Sequence, residues 1–282
     1  VKLEQNGFKG WGESTPSLRY NESTQQTIYL IENFRKDLEN GVSRDEIQSI
    51  MPKGAARNAV DCALWDLEAK KNGKRIWELI EISEHLQIGH ISKPEFVTTV
   101  YSLGVDTPKI MGALAKKHSK RPILKIKLTG EGDLERLNSI KDNAPYSRLI
   151  VDANEGWNLE HYNRFVPEFL KMGVEMIEQP FPAGKDNLLK NLDHPISICA
   201  DESCHNREDL LHLEGLYEFI NIKLDKTGGL TEAMYLQNKA ESMGFKTMVG
   251  CMSSTSLGIA PAFLIAQRAK IIDLDAPLYL YN

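Results

Sequence analysis

Residues 123–128 read Ile-Leu-Lys-Ile-Lys-Leu, residues 148–154 Arg-Leu-Ile-Val-Asp-Ala-Asn, residues 175–180 Glu-Met-Ile-Glu-Gln-Pro, and residues 196–203 Ile-Ser-Ile-Cys-Ala-Asp-Glu-Ser. Each is a short β-rich apolar run with polar or charged residues at or near its C-terminal end, and longer amphipathic stretches separate most such runs. Working outward, the same rhythm recurs at 97–103, 219–224, 246–249 and 271–274, which makes eight runs. Helical patterns at 134–143, 159–172, 207–213, 230–243 and 256–268 fall between them. Alternating β and α units predict a parallel sheet, and eight strands is the count that closes a TIM-type barrel. An open doubly wound sheet has the same alternation. No Gly-rich phosphate loop follows the first run, which weakens that alternative.

Before residue 96 the pattern differs. Residues 1–5 and 8–13 read as a hairpin around Asn6-Gly7, a favoured turn pair. Asn21 or Ser23 caps a helix running toward Asn40-Gly41, with Ile28, Ile31, Phe34 and Leu38 on one face. A second helix carries Val60, Ala63, Leu64 and Leu67 at i, i+3, i+4 and i+7 and stops at Asn72-Gly73. The chain opens on Val1 inside the hairpin, so further residues are expected before it.

At 282 residues and 41% apolar the chain is long enough for a barrel plus an accessory domain. A net charge of -5 spread along the sequence, without a basic run, argues against nucleic acid as a partner. No apolar run has the length of a membrane span, so no membrane partner is expected. The four cysteines form no Cys-x-x-Cys pair, which points to a reducing, cytoplasmic compartment.

Active sites of parallel barrels lie at the C-terminal ends of the strands, and there the sequence concentrates its charge. Lys125 and Lys127, two apart on one strand, share a face. Asp152, Glu178 and Asp201 arrive from three successive strand ends. Three inward carboxylates repel one another unless a cation sits among them, and oxygen ligands without histidine or cysteine favour Mg2+. Lys223 lies within an apolar run and Lys226 in the loop beyond it, which makes Lys223 the better candidate for an inward base. Crowding by Lys125, or burial, is expected to lower its proton affinity toward neutrality. Asp273 and Asp275 form another same-face pair, suited to a substrate ammonium.

These residues resemble the muconate-lactonizing subgroup of the enolase superfamily, and most closely its dipeptide epimerases. Gly10-Trp11-Gly12-Glu13 and Ala63-Leu64-Trp65-Asp66-Leu67 resemble the capping domain of that family. Lys125-Ile126-Lys127, Val151-Asp152-Ala153-Asn154, Ile177-Glu178-Gln179-Pro180, Ala200-Asp201-Glu202-Ser203 and Ile222-Lys223 follow in family order. The resemblance implies a (β/α)7β barrel at 93–282 and an N-terminal α+β capping domain at 1–92 that lacks its beginning. It implies one Mg2+ on Asp152, Glu178 and Asp201, with Lys127 and Lys223 as acid/base groups on opposite faces of an enediolate. Lys125 would touch the substrate carboxylate and depress the pKa of Lys127, Cys251 would offer its backbone to the substrate, and Asp273 and Asp275 would grip the ammonium.

The implied reaction is inversion of the C-terminal residue of a dipeptide, of the L-Ala-L-Glu to L-Ala-D-Glu type, in cell-wall peptide metabolism. An o-succinylbenzoate synthase or N-acylamino acid racemase would use the same metal and lysines. A non-catalytic barrel would be expected to have lost them. Homo-oligomers are common for the fold. Two departures stand out. Residues 77–94 lack the short Leu-Gly-rich link between domains, and Val100 stands where a substrate-contacting threonine is expected.

Overall fold

The computed structural model describes residues 1–82 and 93–280. Strands β1 (Lys2–Gln5) and β2 (Phe8–Trp11) pair antiparallel. Asn6 (φ 52°) and Gly7 (φ 82°) both take the left-handed conformation that a two-residue turn between twisted strands requires. Helices α1 (Thr24–Asn33), α2 (Arg35–Glu39), α3 (Arg44–Ile50), α4 (Ala55–Lys71) and α5 (Ile76–Ile82) follow. Ser23 and Ser43 start α1 and α3 with capping boxes completed by Gln26 and Glu46.

Two details correct the sequence reading. The helix expected to reach residue 40 breaks at Phe34, and Ile28, expected inward, is 55% exposed. The inner line instead runs Thr27, Ile31, Phe34, Leu38. Thr27 is buried, and the three apolar side chains pack on Ile47, Met51, Ala56 and Val60. Helix α4 is buried along most of its length. The hairpin presses against its backbone through glycines, because a Cβ on Gly10 would lie 2.1 Å from the Ala63 carbonyl oxygen and one on Gly12 2.0 Å from that of Ala59.

The second sheet consists of β3 (Tyr101–Leu103), β4 (Ile123–Lys127), β5 (Arg148–Asp152), β6 (Val174–Glu178), β7 (Ser197–Ala200), β8 (Phe219–Ile222), β9 (Lys246–Gly250) and β10 (Ile271–Asp273). Neighbours in sequence are parallel neighbours in space throughout. The barrel closes where the Val100 N–H donates to the Ile272 carbonyl at 2.8 Å and the Leu274 N–H donates to Thr99 Oγ1 at 2.9 Å. Around it lie α6 (Pro108–Lys117), α7 (Asp133–Asn143), α8 (Leu159–Lys171), α9 (Leu210–Leu213), α10 (Leu224–Thr227), α11 (Leu230–Ser242) and α12 (Ser256–Ala266). A 3-10 segment, Asp186–Asn191, replaces the helix after β6. The helix expected from residue 207 is only four residues long, because Asp209 accepts from the His205 and Asn206 N–H groups and holds that stretch as a turn.

One side chain from each strand segment fills the barrel floor: Val100, Ile123, Ile150, Met176, Cys199, Phe219, Met248 and Ile271. Val100 is thus a floor residue, 1% exposed, rather than a group at the mouth. Among the described residues no helix is long and apolar enough to cross a membrane. Most of the 77–94 stretch lies outside the described residues.

Candidate active site

Strand alternation fixes what stands above the apolar floor. Moving two residues along each strand returns to the barrel interior, and the side chains met there are Ser102, Lys125, Asp152, Glu178, Asp201, Asn221, Gly250 and Asp273. Six of these eight are charged or carry an amide. Gly250 is the gap in the ring, since a Cβ there would lie 2.7 Å from Asn221 Oδ1 and 3.0 Å from Lys223 Cε. Two residues further stand Lys127, Asn154, Lys223 and Asp275. With eight strands in sequential order, β4 and β8 are half a turn apart, so Lys127 and Lys223 face each other across the barrel mouth. Between them, β5 to β7 carry the three carboxylates on one arc, and β9, β10 and β3 form the other. A cavity of about 310 Å³ over this floor is lined by Lys127, Lys223, Lys125, Cys251, Asp273 and Asp275, among others.

Lys125 is the hub. Its ammonium lies 2.6 Å from Asp273 Oδ2, 2.7 Å from Glu178 Oε2 and 3.1 Å from Asp152 Oδ2, with its side chain 1% exposed. Lys127 pairs with Asp152 at 2.6 Å, and Lys223 with Asp201 at 2.6 Å. Burial opposes the charge on Asp152, but Lys127 and Lys125 outweigh it and hold the carboxyl at about 2. Asp201 is likewise held well below the carboxylate range, by Lys223 and Lys226 against burial. Glu178 goes the other way: burial and the nearby Asp152 push it up to about 8 despite Lys125.

The expectation that Lys223 is shifted toward neutrality is corrected. Burial does lower its proton affinity, but Asp201 and Glu178 prevail and raise it above the usual lysine range. Lys125 is raised as well, burial being overcome by Asp273, Glu178 and Asp152.

The donor set suits a hard dication. Asp152, Glu178 and Asp201 are buried oxygen donors on adjacent strands, and Glu178 Oε2, although 2.7 Å from the Lys125 ammonium, accepts no well-formed hydrogen bond. The three do not converge on one point as they stand, and among the described residues no three acidic, histidine or cysteine side chains do. Lysines account for this, because Lys125 sits between Asp152 and Glu178 while Asp201 turns to Lys223 and Lys226.

Residues 1–81 match the family described as "Mandelate racemase / muconate lactonizing enzyme, N-terminal domain", and residues 111–272 match "Enolase C-terminal domain-like". The chain belongs to this family of the enolase superfamily. Among curated members, this mandelate racemase / muconate lactonizing enzyme homologue is 43% identical to the L-Ala-D/L-Glu epimerase of Escherichia coli, over 99% of this chain and 85% of that protein. It is 41% identical to the N-acetyl-D-glutamate racemase of a Pseudoalteromonas species, over 99% and 86% of the two chains. One similar solved structure is an enolase family member from Agrobacterium tumefaciens with homology to dipeptide epimerases, described with bound sodium and L-Ala-L-Glu. It is 44% identical with a TM-score of 0.94, covering 100% of this chain and 83% of that one. Another is the dipeptide epimerase of Enterococcus faecalis with Mg and L-Leu-L-Tyr, 30% identical with a TM-score of 0.89 over 100% and 83% of the chains.

In this family member the sequence reading passed over several groups around the site. Lys226, read as a loop residue, is 2% exposed and donates to Asp201 Oδ1 at 2.7 Å and to the Asn221 carbonyl at 3.0 Å. Its signal was the positive charge three residues after Lys223, one helical turn on. Asn221 Nδ2 donates to Glu178 Oε1 at 2.8 Å, and it stands two residues before Lys223, the extended residue that follows β8. Gln179 accepts the Asp201 N–H at 2.8 Å and so ties the ends of β6 and β7 together. Arg19 reaches Glu202 at 3.1 Å from the capping part, a contact of residues 183 apart that no local pattern announces.

Proposed function

We propose that this chain is a magnesium-dependent dipeptide epimerase, an isomerase that inverts the α-carbon of the C-terminal residue of substrates such as L-Ala-L-Glu. The observation that carries this reading is the pair of ammonium groups, Lys127 and Lys223, on opposite sides of one small cavity, with carboxylates along one arc between them and Asp273 and Asp275 along the other. Asp152, Glu178 and Asp201 are the proposed Mg2+ ligands. When bound, the cation would hold the substrate carboxylate and stabilise the negative charge that develops as the α-proton leaves.

The chain's own residues supply the rest. One lysine, in its neutral form, takes the α-proton, while the other, as an ammonium, delivers a proton to the opposite face and inverts the centre. Lys125 steadies the carboxylate end, and Cys251, which lines the cavity, would offer its backbone to the substrate. Asp275 and Asp273 meet the free ammonium at the other end. The proposed division is a capping domain at 1–92 and a catalytic barrel at 93–282. The four free cysteines, three of them buried, are in keeping with a reducing, cytoplasmic setting. A dipeptide product with a D-residue at its C-terminus suits cell-wall peptide metabolism.

The relative named as an N-acetyl-D-glutamate racemase favours a second reading, in which the amine of the substrate is acylated. The acidic pair at 273 and 275 argues against it, since an acyl group offers those carboxylates no charge. The test is mass-shift analysis of a dipeptide library and N-acetyl-L-glutamate in deuterated water with Mg2+. Exchange and inversion of L-Ala-L-Glu in preference to N-acetyl-L-glutamate are expected. The reverse preference would transfer the reading to the racemase, and succinylbenzoate formation with inert dipeptides would reject both.

A further inference from the structure

The two acids assigned to the substrate ammonium are not equivalent. The Asp273 carboxylate is engaged through Oδ2 by the Lys125 ammonium at 2.6 Å. Asp275, 6% exposed, is held differently: the Ser102 N–H donates to its Oδ2 at 2.7 Å, and the Tyr279 hydroxyl lies 3.0 Å from the same oxygen. The hydroxyl also accepts from the Ser102 N–H at 2.9 Å, and its one hydrogen is shared between Asp275 Oδ2 and the Ser102 carbonyl, the latter at 2.8 Å. Four groups from three places in the chain therefore close a ring: both backbone groups of Ser102 at the tip of β3, the Asp275 carboxylate, and a phenol from the 3-10 turn Ala276–Tyr279. The Ser102 N–H and the Tyr279 hydroxyl both meet Asp275 at Oδ2, and the Ser102 side chain also bonds the carboxylate. Asp275, Tyr279 and Ser102 line the same cavity as Lys127 and Lys223.

We infer that Tyr279 is a positioning residue for substrate specificity: it clamps Oδ2 of Asp275 against Ser102 and so holds this carboxylate in place at the cavity wall to accept the substrate's ammonium. This rests on the dipeptide reading above and adds a residue and a division of labour to it. Asp273 serves chiefly to hold Lys125, and Asp275 with Tyr279 reads the positive charge. The ring is well placed for this, since the Leu278 N–H bonds the Asp275 carbonyl at 2.9 Å and so fixes the turn that aims the phenol back at Asp275. The Tyr279 ring also packs on Tyr101 with centroids 5.2 Å apart. Tyr279→Phe keeps that packing and removes only the hydroxyl.

The experiment compares L-Ala-L-Glu with propionyl-L-glutamate, which has the same shape but no ammonium. KM and kcat are measured for the dipeptide, and propionyl-L-glutamate is assayed as a competitive inhibitor, so its Ki is obtained whether or not it turns over. For Tyr279→Phe, kcat/KM on L-Ala-L-Glu should fall about tenfold, carried mainly by KM, while Ki for propionyl-L-glutamate changes less than twofold. A parallel rise of KM and Ki would reduce Tyr279 to general support of the cavity and overturn the inference. So would an unchanged KM. Should the wild-type protein leave every dipeptide untouched in the presence of Mg2+, the epimerase reading itself fails, a result visible before any variant is made.

Discussion

Lys127 and Lys223 differ in their surroundings although they face each other. The Lys127 side chain is 29% exposed against 9% for Lys223, and each pairs with a different carboxylate. If each serves one face of the α-carbon, the two single variants should fail in complementary ways. Lys127→Ala and Lys223→Ala should each reduce inversion by ~10²–10⁴-fold, the usual worth of a positioned acid or base. Each should still exchange the α-hydrogen of one diastereomer with deuterated solvent, and the retained diastereomer should differ between the two. Proton NMR of L-Ala-L-Glu and L-Ala-D-Glu in deuterated water reads this directly. Equal exchange of both diastereomers by either variant would contradict the assignment. At this scale the sequence was informative where strand alternation applies, as in Lys125-Ile126-Lys127 and Asp273-Leu274-Asp275. It misjudged Lys226 and the proton affinity of Lys223, because both depend on Asp201, which another strand brings to them.

Among the elements, the hairpin and α4 set the relation of the capping part to the barrel. Arg57 donates to the Thr227 carbonyl at 2.7 Å and the Gly228 carbonyl at 3.2 Å, and Asn58 donates to Asp225 at 2.9 Å. Trp65 Nε1 and Asp61 both engage Thr231, at 2.9 Å and 2.7 Å. Helix α4 therefore grips the segment that runs on from Lys223 through α10 into α11. Gly12→Ala would thrust a methyl into the backbone of α4 and should destabilise the protein by about 2 kcal/mol or more, seen as a lower denaturant midpoint at unchanged m-value. Wild-type stability in that variant would mean the hairpin is free to move away. Glu13, beside it, accepts the Thr255 N–H at 2.7 Å and the Gly258 N–H at 3.2 Å at the start of α12. Removing those bonds by Glu13→Ala should cost about 1 kcal/mol, the typical worth of a helix cap, and no loss of stability would show that water replaces them. Gly-Trp-Gly-Glu was legible in the sequence as a motif, but its reason was not, since the backbone it presses on lies some fifty residues away.

For the molecule as a whole, the buried charges link folding to pH and metal. Glu178 has its pKa raised to about 8 from an ordinary 4.5, so the folded state binds a proton that the unfolded state has released. Its contribution to stability is greatest below about 4.5 and declines as pH rises toward 8. Asp152, depressed to about 2 from 3.8, contributes stability that is present above 3.8 and is lost as pH falls through 2. A dication competes with the proton on Glu178, so Mg2+ should raise Tm more at pH 8.5 than at pH 6. At a hundredfold excess over Kd, the gain at the higher pH should approach ~2.7 kcal/mol. Calorimetry with Mg2+ against EDTA at both pH values checks this, and an equal shift at each would exclude Glu178 from the ligand set.

The sequence by itself determined the eight-strand alternation, the polar strand ends and the order of lysines and carboxylates along the chain, because the two-residue period of a strand and the amphipathic period of a helix are local. Only the tertiary structure decided that the barrel closes through Val100 and Ile272, that Val100 belongs to its floor, and that Asp201 answers to two lysines. It alone brought Tyr279 back over Ser102. Those outcomes depend on which strand ends meet across a closed ring, and in a low-dielectric interior the nearest opposite charge decides both where a side chain points and whether it keeps its proton.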